Sequence, residues 1–206
     1  MGKKDAVTKE YVRRREVFAD AFNQHVYRGK QVVRPERLRE LDTTEIALPY
    51  GEDGVIVPEQ RYRDSLKLLV AMTDGETAFC VMGIESQADI HYALPVKNGL
   101  YDFLQLAKQV SEAAKAHRTA AKALREDVVA PSSGEFLSGF WKTDRLIPVV
   151  TLVIYFGAEE WDAPLTLREM YACEDEEILA YAADYKVNLL APGNLTDEEI
   201  ELFRSD

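Results

Sequence analysis

Two apolar runs, Ser65-Leu66-Lys67-Leu68-Leu69-Val70-Ala71-Met72-Thr73 and Glu76-Thr77-Ala78-Phe79-Cys80-Val81-Met82-Gly83-Ile84, stand on either side of Asp74-Gly75. An Asp-Gly pair in that setting is the strongest short-range hairpin signal, because glycine takes the positive φ that a two-residue turn needs. The turn fixes a register. Thr73 faces Glu76, and every facing pair has residue numbers summing to 149. A four-residue loop centred on the same dipeptide keeps that pairing, whereas a slip of one residue sends the side chains to the opposite face.

Continued to its open end, the register sets Asp64 against Glu85. One face then carries Asp64, Leu66, Leu68, Val70 and Met72 beside Thr77, Phe79, Val81, Gly83, Glu85 and Gln87. Facing side chains stand about 4.5–5.5 Å apart at Cβ, and like charges there repel. Two kinds of positive charge could offset the repulsion. Asp64 can pair at the surface with Arg61, Arg63 or Lys67, which contributes little. Alternatively, both acids hold a divalent cation, since magnesium is commonly bound by one or two carboxylates with water and substrate phosphate completing the shell. Gly83, facing Leu66 and beside Glu85, leaves room for a close approach.

Asp64, Gly83-Ile84-Glu85-Ser86-Gln87, His91-Tyr92-Ala93-Leu94-Pro95-Val96, Leu100-Tyr101-Asp102, the run Ile147 to Gly157 and Trp161 occur in that order. Together they resemble the Rpn family, described as recombination-promoting nucleases and transposases, within the PD-(D/E)XK nuclease superfamily. The likeness extends from Asp5 to Pro192. It implies an α/β fold with a PD-(D/E)XK nuclease-like core, a mixed central sheet with a β-hairpin and flanking helices. Residues 1–192 form that domain, and 193–206 are an acidic C-terminal segment, read as the start of a longer C-terminal region.

The resemblance also implies a chemistry. Asp64 becomes the strand aspartate, and Glu85-Ser86-Gln87 the E-x-K element with glutamine in the lysine position. Asp64, Glu85 and the Ser86 carbonyl would hold Mg2+, with Mn2+ as a substitute. Asp64, Glu85 and Gln87 form the catalytic set of a DNA endonuclease that hydrolyses phosphodiesters in recombination or transposition. Water attacks the phosphate in line, and the Gln87 amide positions it. The superfamily often places one more acid on the first helix, for which Asp5, Glu16 and Asp20 are candidates. The helix after the last carboxylate brings polar groups, here Tyr101, Gln105 and Lys108, and Lys108 could supply the charge that Gln87 lacks. That glutamine also opens an alternative: a nuclease-fold module with weak or no catalysis, acting in nucleic-acid or protein binding.

The net charge of −11 taken as a sum disfavours DNA, but its distribution matters more. From Ala158 onward there are 14 acidic and three basic residues, so the first 157 residues carry 22 of each sign. Met1 to Glu40 holds 11 basic against six acidic residues, including Arg13, Arg14 and Arg15. Those three arginines are either a DNA-backbone contact or a solvated helix face. No apolar run approaches the roughly 18 residues of a membrane span, and the N-terminus lacks an apolar signal core. The expectation is a cytoplasmic protein without a membrane partner; oligomeric state does not follow from the residues. Two distant cysteines, Cys80 and Cys173, make no disulfide framework. His25, His91 and His117 lack metal-ligand spacing, and no glycine-rich phosphate loop follows a strand.

The remaining periodicity predicts one amphipathic helix over Val7 to Tyr27, a strand at Ile46-Ala47-Leu48 and an edge segment at Val55 to Pro58. A helix starts at Pro95 and runs towards Arg125, with an apolar stripe of Leu100, Phe103, Leu104, Ala107 and Val110. Pro131 to Gly134 reads as loop, and Glu135 to Lys142 as a capped turn or a recognition loop whose aromatics are core more often than base-stacking platforms. Leu146 to Phe156 reads as a buried central strand, Val187 to Leu190 as another. Thr196 to Glu199 has capping-box spacing.

Overall fold

The N-terminal pattern folds as two helices, α1 (Lys3–Arg13) and α2 (Arg15–His25), where one helix was expected. The break is at Arg14, whose ψ of 133° leaves the helical region. It lets Phe18, Ala21 and Phe22 turn into the core while Tyr11 stays partly exposed. The computed structural model describes residues 3–41, 44–47, 59–62, 65–73, 76–122 and 131–205. Beyond α2, Arg28 and Gly29 both take positive φ, 52° and 81°, and reverse the chain. The buried Asn23 amide then fixes the return: its Oδ1 accepts from Val32 and Val33 N–H at 3.0 and 2.7 Å, and its Nδ2 donates to the Val33 carbonyl. A 3-10 turn at Pro35–Arg37 leads into β1 (Leu38–Glu40).

Strands β2 (Thr44–Ala47) and β3 (Glu59–Tyr62) form a separate antiparallel ribbon. β4 (Ser65–Thr73) and β5 (Glu76–Gln87) are the two arms of the expected hairpin. Nine facing pairs, from Ser65 with Ile84 to Thr73 with Glu76, follow the register set by the Asp-Gly pair. The turn residues Asp74 and Gly75, like Asp42, Thr43, Leu48 and the 55–58 segment, lie outside the described residues. The chain continues through α3 (Leu94–Lys122), α4 (Ser133–Ser138) and β6 (Val149–Tyr155). It closes with α5 (Glu176–Leu179), β7 (Asn188–Leu190) and α6 (Asp197–Ile200).

The fold is mixed α/β. The main sheet has the order β1-β4-β5-β6-β7. Its first two pairings are antiparallel, and β5, β6 and β7 run parallel. β6 lies between two neighbours and buries Thr151 through Tyr155, as the apolar run predicts. Strand alternation then separates two layers. Met82, Ile84, Leu152 and Ile154 pack with Phe18, Phe22 and Leu38 on the α2 side. Each fully buried large apolar side chain there contributes about 1.5–3 kcal/mol. Residues of the other parity, including Glu85, Thr151 and Val153, face α3, whose Leu94 joins Val153 and Val187 in a smaller cluster.

α3 crosses from β5 to β6 and runs antiparallel to β6. Leu94 packs with Val153, Asp102 accepts from Thr151 Oγ1 at 2.5 Å, and Gln109 exchanges two hydrogen bonds with the Ile147 backbone at 3.0 and 2.7 Å. The face turned inward carries Leu94, Asn98, Tyr101, Asp102 and Gln105. The expected apolar stripe is therefore corrected: Leu100 and Phe103 are exposed, with Phe103 at 63 %. The reason is the sheet beneath, which offers Glu85 and Thr151 and so favours polar helix residues over it.

Two further expectations change. Pro131 to Gly134 is loop only in its first half: Ser132 caps α4, which takes in Ser133 and Gly134, in a capping box with Glu135. A bond from Lys142 N–H, and after it the bonds of that box, hold the Glu135 carboxyl down to about 2. The neighbouring Phe136 and Leu137 are exposed, and Trp141 stacks on His117 at 4.0 Å instead of entering the core. His117 in turn meets Asp144 at 2.8 Å. At the C-terminus, Thr196 forms the expected capping box at α6, and Phe203 packs on the α2 core. Burial pushes the Cys80 thiol up to about 11.

Candidate active site

Glu85 occupies the last turn of the β5 pleat and faces α3. Two causes place it there. The hairpin register gives it the parity of Gly83, and β6 pairing sets it beside Val153. The carboxylate is buried, its side chain only 8 % exposed, and Lys97 Nζ donates to its Oε1 at 2.7 Å. Lys97 reaches in from the first turns of α3, and its side chain is 28 % exposed, so the ammonium stands between the buried acid and solvent. A lone buried carboxylate is costly and a close ammonium relieves that cost.

Around this pair lies a polar layer. Tyr101 and Gln105 are buried on the same helix face. Asp102 accepts from Thr151 Oγ1 and from the Tyr185 hydroxyl at 2.6 Å. Asn98 is fully buried, and among the described residues neither atom of its amide has a hydrogen-bond partner. Gln87 shares the parity of Glu85, is partly buried, and its carbonyl accepts from Phe156 N–H at 2.8 Å. Ser86 has the opposite parity, so its side chain belongs to the other sheet face. The aromatic pair Tyr155 and Trp161, edge to face at 5.0 Å, borders the same layer, and Trp161 packs against Leu94 and Val153.

The other candidate residues are placed as follows. Asp64 lies outside the described residues, as does Arg63, and of Arg61 and Lys67 only the backbone is described. Asp5 falls in α1, with no described side chain. Glu16 is exposed in the first turn of α2. Asp20 is buried and its carboxylate accepts from the backbone N–H groups of Arg204 and Ser205, which ties the C-terminal segment to α2. α2 covers the sheet face opposite Glu85. Lys108 is exposed. Arg13, Arg14 and Arg15 are exposed at the break between α1 and α2; Arg14 lies over the Tyr11 ring at 5.8 Å, and Arg15 is 3.7 Å from Glu40.

The structure thus brings together Gly83 to Gln87, Leu94 to Asp102, the β6 run and Trp161, which the chain scatters over some 80 positions. Reading the sequence missed Lys97, Asn98 and the Asp102–Thr151–Tyr185 network. One signal was available for Lys97: only a short connection separates Gln87 from the helix start at Pro95, so the first helical turns must stand near the end of β5.

Among the described residues no three of His, Cys, Asp and Glu converge as a metal cluster. Glu85 and backbone carbonyls are oxygen donors, the type suited to magnesium or manganese rather than zinc. No described helix is long and apolar enough to cross a membrane. Comparison with protein-family models, with curated proteins and with solved structures gave no match.

Proposed function

We propose that this chain is a magnesium-dependent deoxyribonuclease of the PD-(D/E)XK type, similar to the Rpn recombination-promoting nucleases, with Asp64 and Glu85 as its acids. The observation that carries the reading is the polar layer under α3. Glu85, Asn98, Tyr101, Asp102, Gln105 and Thr151 are buried while Leu100 and Phe103 face solvent. Burying polar groups in preference to available apolar ones costs stability, and such departures from ordinary patterning are expected where a site must be kept. The mixed sheet with its hairpin and flanking helices supports the same assignment.

In this reading Glu85, Asp64 and the Ser86 carbonyl hold the cation. A bound Mg2+ supplies Lewis acidity and makes a nucleophile from water near neutral pH. The chain's own groups do the rest. The pairing of β5 with β6 and burial under α3 hold Glu85 in place, so its oxygens need little reorganisation when substrate arrives. Gln87, two residues further on the same face, orients water for in-line attack through its amide. The exposed arginines 13 to 15 offer phosphate contacts that would bind DNA without sequence preference.

The test is cleavage of supercoiled plasmid with Mg2+ or Mn2+ by the wild type, Asp64→Ala and Glu85→Gln, each checked for folding by circular dichroism. Nicking by the wild type and a loss of about a hundredfold or more in both variants is expected. Equal nicking by all three, or none by the wild type, overturns the reading. A catalytically silent binding module is the second reading. Two observations favour it: Gln87 stands where a lysine is usual, and Lys97 already neutralises Glu85.

A further inference from the structure

Resting on the nuclease reading above, we infer that Lys97 is the cationic catalytic residue of the site, held on Glu85 until a divalent ion takes that carboxylate and then turned onto the scissile phosphate.

The geometry carries this. Lys97 Nζ touches Glu85 Oε1 at 2.7 Å, and its stem comes from the more open side of the pair. Glu85 is buried and held by the pairing of β5 with β6 beside Val153, whereas lysine is a point charge on a flexible stem. Of the two partners, the lysine is the one that can move. A divalent ion on Glu85 would bring two positive charges where Lys97 brings one, so the ammonium would be repelled from a carboxylate that is only 8 % exposed. The displaced ammonium then finds its best partner in the phosphate, the anion that substrate brings to the same ion.

Position supports it as well. Gln87 follows Glu85 by two residues on one face, roughly 6.6 Å further along the strand. A lysine there would stand on the same sheet face as the carboxylate that Lys97 reaches from the helix. The charge missing from the strand is thus present on α3, and Lys97, not the exposed Lys108, delivers it. No covalent step involves Lys97; it keeps its proton and acts through charge and hydrogen bonding.

The experiment pairs Mn2+ binding, read by electron paramagnetic resonance of the free ion, with plasmid cleavage at saturating Mn2+. The proteins are the wild type, Lys97→Ala, Lys97→Gln, Gln87→Lys and the double variant Lys97→Ala/Gln87→Lys. Loss of Lys97 removes a competitor for Glu85, so Mn2+ affinity rises severalfold, while cleavage falls about 10²–10³-fold, the usual cost of one transition-state charge contact. A lysine at position 87 in the Lys97→Ala background restores at least about tenfold of that loss. A purely structural lysine would not raise metal affinity while lowering turnover. Where Lys97→Ala does not fold, Lys97→Gln keeps a hydrogen-bond donor for Glu85 and gives the same two readouts. Unchanged Mn2+ affinity, unchanged cleavage, or no rescue by Gln87→Lys overturns the inference. If Asp64→Ala abolishes Mn2+ binding and cleavage while the Lys97 variants match wild type, only the lysine role fails; if wild type neither binds Mn2+ nor cuts, the nuclease reading fails and takes it along.

Discussion

His25 ends α2, partly buried, and its pKa lies below the usual 6.5, first because burial disfavours the imidazolium and second because the Lys186 ammonium repels it. A base whose folded pKa is lowered stabilises the fold fully above its unfolded value, and the contribution drains away as pH falls below about 6.5. His25→Gln is therefore expected to flatten the decline in melting temperature between about pH 7 and pH 5. A wild-type slope retained in the variant would show that other groups set the acid limit. Residue-scale legibility was uneven for a physical reason. Glu85 was readable because strand parity is rigid, two residues to a repeat. Lys97 was not, because its partner lies 12 residues away across a strand-to-helix connection, and no periodicity links them. Asp20 was readable only as an acid near the N-terminus; its backbone partners, Arg204 and Ser205, are 184 and 185 residues distant.

At the scale of elements, α3 shows where pattern reading stops. Helical periodicity found the helix and its start, but of the apolar stripe Leu100 and Phe103 are exposed and Leu104, Ala107 and Val110 only half-buried. Periodicity reports which residues share a face, while the partner layer decides which face turns inward. The β6 run needed no such knowledge, because a strand buried on both sides is apolar throughout. What aligns the helix with that strand is Gln109, whose amide donates to the Ile147 carbonyl and accepts from its N–H just before β6 begins. Gln109→Ala leaves both backbone groups without their partner, and a loss of about 1–3 kcal/mol in urea unfolding is expected. A change below about 0.5 kcal/mol, the range of ordinary surface substitutions, would mean that water replaces the amide and the clip is dispensable. The split between α1 and α2 escaped the sequence because Arg13, Arg14 and Arg15 contain no helix breaker; the bend is imposed by tertiary packing of Phe18 and Phe22.

For the whole molecule, the β4–β5 register is the one expected from the Asp-Gly pair, and its parity separates the apolar α2 layer from the polar α3 layer. The pairing of β5 with β6 and of β6 with β7 is parallel and distant in sequence, so no turn residue announces it. The claim on which the functional reading rests is that Asp64 and Glu85 share one divalent ion. The most direct measurement is anomalous scattering from a crystal of this protein grown with Mn2+. A single manganese peak contacting both carboxylates, with Lys97 lifted from Glu85, is the expected result; manganese bound elsewhere, with Lys97 still on Glu85 and the two acids apart, would contradict it.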